Sequence, residues 1–167
     1  METQSDLRQR FRGIVALYAG AIRRLAAVYL PNAADRDDLF QEILLAVWQA
    51  LPAFRGDASE RTWLYRIAHN VALTYRRKSR RAREREDPLD CAMKDSRPSV
   101  DVRRLALVEL VSQLPPEDRQ LVILYLEGAS ANEIEKITGI RAGTVSVRLT
   151  RIRQHLAIAL HRPGVTP

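Results

Sequence analysis

Apolar residues recur along this chain at steps of three and four, and no sustained step of two competes, so the pattern predicts helices throughout and no sheet. Leu7, Phe11, Ile14, Tyr18, Ile22, Leu25 and Tyr29 make one such stripe, which Pro31 ends. Asn32 precedes Asp35 by three residues and can cap a second helix over "DRDDLFQEILLAVWQAL", with Leu39, Ile43, Ala46, Val47 and Ala50 inward. Pro52 and Gly56 bracket a loop. Asp57 with Glu60, or Ser59 with Thr62, then starts a third helix whose core stripe is Leu64, Ile67, Ala68, Val71 and Tyr75.

The pattern dissolves from Ser79. "SRRAREREDPLDCAMKDSRPSVD" holds like-charge blocks and two prolines, which predicts a flexible linker at residues 81–102 between domains at 1–80 and 103–167. Periodicity resumes with Leu107, Val111 and Leu114, and "PPEDRQLVILYLEG" sets prolines and acids at a helix start and Gly128 at its stop. Ser130 and Glu133 form a capping box for a short helix containing Ile134 and Ile137. Gly139 turns into a last helix with Val145, Leu149, Ile152 and Leu156 inward. The expected fold class is all-α: two small helical domains joined by a flexible linker, the C-terminal one a helix-turn-helix.

Composition narrows the function. The 167 residues are 46% hydrophobic, enough for one modest core or two small ones, and the formal charge of +7 favours an anionic partner such as nucleic acid or an acidic protein surface. "METQSDLRQR" has no apolar signal core and no apolar run reaches a membrane span, so the expected place is the cytoplasm, with no membrane insertion. Cys91 is the single cysteine, which excludes an intramolecular disulfide and disfavours a cysteine-built zinc site. His69, His155 and His161 are scattered, and neither a Ser/His/Asp arrangement nor a phosphate-cradling Gly loop occurs, so neither catalysis nor a cofactor is expected.

Three surfaces carry candidate chemistry. The last helix turns Ser146, Arg148, Thr150, Arg151, Arg153 and Gln154 outward in a segment with no carboxylate after Glu135. Arginine there can bond guanine bidentately or neutralise phosphate, although a solvated basic face on an ordinary hairpin has the same pattern. The second helix aligns Asp38, Gln41, Glu42, Leu45 and Gln49 on one side, either a protein-docking face or a plain acidic flank. A metal site from Asp35, Asp38 and Glu42 is a poor third reading, with no His at ligand spacing and no second carboxylate helix. The third helix turns Trp63, Arg66, Asn70, Thr74, Arg77 and Lys78 to one side, where the aromatic could stack an unpaired base beside a basic track, or Trp63 could be core.

"DRDDLFQEILLAVWQALPAFRG", "RTWLYRIAHNVALTYRRK" and "LPPEDRQLVILYLEGASANEIEKITGIRAGTVSVRLTRIRQHL" together resemble the extracytoplasmic-function sigma factors of the sigma-70 family, in both halves and in order. The resemblance implies a non-enzymatic initiation factor that binds core RNA polymerase, directs it to promoter DNA and helps open the duplex. A stand-alone helix-turn-helix regulator is the alternative. The resemblance assigns Asp38, Gln41, Glu42 and Leu45 to polymerase. It assigns Phe54, Arg55, Trp63, Arg66, Asn70, Thr74, Arg77 and Lys78 to the minus-ten element. Arg141, Thr144, Ser146, Arg148, Thr150, Arg151 and Arg153 fall to the minus-thirty-five element, Arg148, Arg151 and Arg153 foremost. It also implies an anti-sigma partner that masks these surfaces. The chain departs from the family pattern at Ser146-Val147, often Lys-Ser, at Thr74, often Asp, and at Arg141, usually Pro or Ser. These departures bear on promoter sequence and on the cap of the last helix.

Overall fold

The computed structural model describes residues 3–30, 32–83, 110–111 and 113–160, and every regular element among them is a helix. The chain divides into two compact units, Met1–Cys91 and Ala92–Pro167. All but the first three residues of the expected linker at 81–102 lie outside the described residues.

The N-terminal unit packs three helices, α1 (Gln4–Tyr29), α2 (Ala33–Ala50) and α3 (Glu60–Arg83), with a short 3-10 turn at Leu51–Ala53. Each start has a local cause. A capping box of Thr3 and Asp6 opens α1, the Asn32 side chain accepts from Ala34 N at 3.1 Å to open α2, and Ser59 Oγ accepts from Thr62 N at 3.2 Å to open α3. Ser59 rather than Asp57 is thus the cap of α3. That helix runs past Ser79 to Arg83, because arginine and alanine are good helix formers even where no apolar stripe holds them to the core.

Ile14, Ile22 and Leu25 of α1 meet Leu39, Ile43 and Val47 of α2 and Leu64, Tyr65 and Ala68 of α3 in the core of this unit. The buried face of α3 is wider than the expected stripe. Trp63, Leu64, Tyr65, Ala68, His69 and Ala72 are buried, whereas Ile67, Val71 and Tyr75 are only half-buried, because α3 packs against both α1 and α2. On α2 Phe40 is buried, whereas Ala46 and Ala50 of the expected inner face are only half-buried. One polar link crosses this interior: Tyr29 Oη and His69 Nδ1 lie 2.6 Å apart, joining α1 to α3. Burial pushes the His69 imidazole down to about 4 and the Tyr29 phenol upward, so both are neutral near pH 7.

The C-terminal unit contains α4 (Pro116–Leu126), α5 (Ala131–Thr138) and α6 (Ala142–Leu160). Its core is aliphatic: Leu121 and Leu124 of α4, Ile134 and Ile137 of α5, and Val145, Leu149, Ile152 and Leu156 of α6. The last four are the stripe that the sequence spacing predicts. The Ser130 and Glu133 capping box is formed, with Ser130 N donating to Glu133 Oε2 at 2.9 Å and Glu133 N to Ser130 Oγ at 3.3 Å. Gly139 ends α5 in the left-handed region at φ 78°, a conformation that costs glycine nothing and a branched residue a good deal.

Candidate protein and nucleic-acid interfaces

The three candidate surfaces are built differently. On α2, Asp38, Gln41, Glu42 and Leu45 are all exposed on one side, Leu45 at 51%, which is high for a leucine inside a folded helix. Asp37, next in sequence, turns the other way and pairs with Arg23 at 2.8 Å; that guanidinium also stands 4.1 Å over the Phe40 ring. No ion pair engages Asp38 or Glu42 among the described residues, so their charge faces solvent. No three His, Cys, Asp or Glu side chains gather to hold a metal among those residues.

Glu42 is also the edge of an open groove of about 590 Å³, shared with Asn70, Val71, Thr74, Tyr75, Lys78 and Ser79 of α3. Two sets of residues assigned to different partners therefore border one depression. Arg66, Asn70, Thr74, Arg77 and Lys78 are exposed as the spacing predicts. The Thr74 hydroxyl donates to Asn70 O at 3.0 Å, leaving its methyl outward.

Of the two positions open to Trp63, the structure takes the core one. Only 7% of it is accessible, because Phe54 from the preceding loop lies over it with ring centroids 4.6 Å apart. The indole has more apolar surface to remove from water than any other side chain on that face, and the loop supplies its cover. Arg10 of α1 completes the stack, with its guanidinium 5.0 Å from the Phe54 centroid and 3.9 Å from Glu60 Oε2. Phe54 is half-buried and Arg55 exposed, at the turn made by Gly56 with φ 81°. The aromatic nearer solvent is thus Phe54.

In the C-terminal unit, α5, the Gly139 turn and α6 form the helix-turn-helix. Glu135 Oε2 accepts from Ala142 N at 2.9 Å, so the first turn of α6 is capped from across the turn by a side chain of the preceding helix. The start of α6 thus has a cap although Arg141 stands where the family usually has Pro or Ser. Arg141, Thr144, Ser146, Thr150, Arg151 and Arg153 are exposed. Arg148 is partly covered: its Nη1 lies 3.8 Å from Glu117 and 3.7 Å from Asp118, in the acidic first turn of α4. Asp118 Oδ1 is buried without a hydrogen bond, so Arg148 is the cation that answers its charge. Arg153 stands 5.7 Å from the Tyr125 ring centroid. Sequence periodicity had no means of finding either tether, since α4 and α6 are brought together only by tertiary packing.

Comparison with known proteins follows the same division. The sigma-70 region 2 family model matches residues 14–82, and that of sigma-70 region 4 matches residues 104–156. The chain is 31% identical to the ECF RNA polymerase sigma-E factor of Escherichia coli, over 90% of this chain and 86% of that protein. Among solved structures, the sigma factor RpoE in complex with the anti-sigma factor NepR from Bartonella quintana has the same fold. Its TM-score is 0.78 at 21% identity, over 92% of this chain and 98% of that one. CnrH in complex with the cytosolic domain of CnrY gives a TM-score of 0.66 at 26% identity, over 92% and 88%.

Proposed function

This chain belongs to the extracytoplasmic-function group of the sigma-70 family and is an alternative RNA polymerase sigma factor, and from that premise we propose how its two units divide the work. Core RNA polymerase docks on α2 through Asp38, Gln41, Glu42 and Leu45, three of them able to bond or pair and one apolar. Such a mixture suits a protein partner, because its charges steer association while the leucine is desolvated on contact. The strand of the minus-ten element runs along α3 past Arg66, Asn70, Thr74, Arg77 and Lys78, with Arg55 and the stacked Phe54 and Trp63 at its entry. Phe54 offers the first π-face to an extruded base, and Trp63 becomes available when Phe54 swings aside. In the other unit α6 enters the major groove of the minus-thirty-five duplex, with Arg141 just before it, Thr144, Ser146, Thr150, Arg151 and Arg153 on its outward side and Arg148 at the flank.

The single observation that supports this reading most is the shared groove, where Glu42 of the docking face borders Asn70, Thr74 and Lys78 of the DNA face. With the two surfaces side by side, polymerase docked on α2 bears directly on a strand held along α3. The chain does no covalent chemistry of its own and works in the cytoplasm. The solved relatives, seen with an anti-sigma factor or with the cytosolic domain of CnrY, support an anti-sigma partner for this chain as well.

Reconstitution with core polymerase and promoter DNA tests the reading. Charge reversal at Asp38 and Glu42 together should weaken polymerase binding about tenfold while the circular dichroism stays unchanged. A chain that binds its site tightly alone, and with core polymerase yields no specific transcript, would instead be a stand-alone helix-turn-helix regulator.

A further inference from the structure

Of the seven positions assigned to the upstream duplex, four already have work inside their own unit. Ser146 Oγ donates to Ala142 O at 3.0 Å, and Thr150 Oγ1 donates to Ser146 O at 2.9 Å. Arg148 is drawn to Glu117 and Asp118, and Arg153 to Tyr125. Polar readout from α6 is therefore thinner than its sequence suggests, and the side chain between Ser146 and Arg148 becomes informative. Val147 is 61% exposed on the sixth residue of α6, within the N-terminal part of a recognition helix that meets base edges.

A single exposed valine is ordinary, but the surroundings of this one are not. Helical side chains lean toward the N-terminus, so Val147 lies over the turn that holds Gly143, four residues earlier. A Cβ built at Gly143 would meet nothing within 4 Å, so no part of the described chain shields that flank and the backbone there can come close to another surface. Valine holds one χ1 rotamer in a helix, which fixes the direction of its two methyl groups without further ordering. Exposed Thr144 and Arg151 stand three residues before and four after, on the same side, so the apolar spot is bounded by groups that can bond phosphate or a base edge. In the major groove a single base presents an apolar group, the C5-methyl of thymine.

We propose that Val147, one turn beyond the open flank at Gly143, is a specificity-determining residue whose methyl groups meet the C5-methyl of one thymine in the upstream promoter duplex. This rests on the reading that α6 enters that groove. The contact is dry and undirected, so it selects thymine by the methyl alone and does not depend on the hydrogen-bonding edge.

Replacing thymine by deoxyuridine removes that methyl and nothing else. With full-length chain bound to core polymerase, the upstream element is first selected from randomised duplex. Each of its thymines is then replaced singly. At one position deoxyuridine should weaken binding about fourfold, the equivalent of one buried methyl group. Val147→Ser should abolish that difference and bind the two duplexes alike. 5-Methylcytosine at the same position should regain part of the loss for the wild-type chain and none for Val147→Ser.

Equal responses of the wild type and Val147→Ser at every position would overturn the proposal, as would a selected element without thymine. So would Val147→Ser weakening polymerase binding with its deoxyuridine response intact, which would make Val147 a protein contact. Arg151→Ala separates the two levels. If it abolishes sequence preference while Val147→Ser leaves the deoxyuridine response unchanged, α6 reads the groove and only the methyl contact fails. If neither variant alters the selected sequence, the groove reading fails with it.

Discussion

The two units solve opposite problems. In the N-terminal unit the interior is specialised and the surface is loose: an aromatic stack and a buried Tyr29–His69 link fix the helices, while Asp38, Glu42, Asn70 and Lys78 stand in solvent. In the C-terminal unit the core is mainly aliphatic, with Gln120 buried beside it, and the surface is specialised, with Arg148 and Arg153 tethered and the hydroxyls of Ser146 and Thr150 turned back on the helix. On the division of work proposed above, the N-terminal face gains from side chains free to rearrange. On the same proposal, the α6 face gains from side chains whose directions are already set, since less entropy is then lost on contact.

Core truncation gives the largest test of whether the units are separate in stability as well as in style. Leu64→Ala and Leu121→Ala, each removing a fully buried side chain, should cost about 2 to 5 kcal/mol in their own units. Trp48 and Trp63 are the only two tryptophans and both lie in the N-terminal unit, so fluorescence follows that unit alone. Leu64→Ala should shift the fluorescence transition, and Leu121→Ala should shift the circular dichroism while leaving fluorescence in place. A common shift would mean that the units unfold as one.

A smaller effect comes from acid. His69 titrates at about 4 when folded and near its ordinary 6.5 when unfolded, so the unfolded chain binds the proton first. The stability tied to neutral His69 is whole above pH 6.5 and is lost as pH falls from there to about 4, amounting to at most about 3 kcal/mol. Fluorescence-monitored unfolding should weaken over that window, and Tyr29→Phe should lower stability at pH 7 by leaving His69 Nδ1 without its partner. A transition indifferent to pH between 6.5 and 4 would remove the link from the account of the core.

The smallest concerns the tethers. Glu117 is exposed and its pair with Arg148 is long, so Glu117→Gln should change stability by less than about 1 kcal/mol. It should instead raise affinity for random duplex and steepen its salt dependence, because a charge opposing phosphate is gone. Unchanged non-specific binding would show that the tether does not compete with DNA.

Much of the fold could be read from the chain because its signals are local. The α6 stripe from Val145 to Leu156, the Ser130 box, the Gly139 turn and the Asn32 cap each depend on residues within a turn or two. What escaped was decided at longer range. Helix spacing leaves Trp63 open between core and surface, since it says nothing of the loop that lays Phe54 on it. His69 looked idle because Tyr29 is forty positions away. Arg148 looked like an open cation because its acids belong to α4. The exposed face of α2, by contrast, was visible in full: a helix packed on one side must turn Asp38, Gln41, Glu42 and Leu45 out.

The cap that Glu135 lends to Ala142 has a consequence for Arg141. A recognition helix usually draws its first-turn partner from the residue just before it, which couples the angle of entry to a residue close to the DNA. Here the angle is held by a carboxylate one helix back. The Arg141 side chain therefore carries no part of that cap and stays exposed, while its carbonyl still accepts from Val145 N at 3.0 Å.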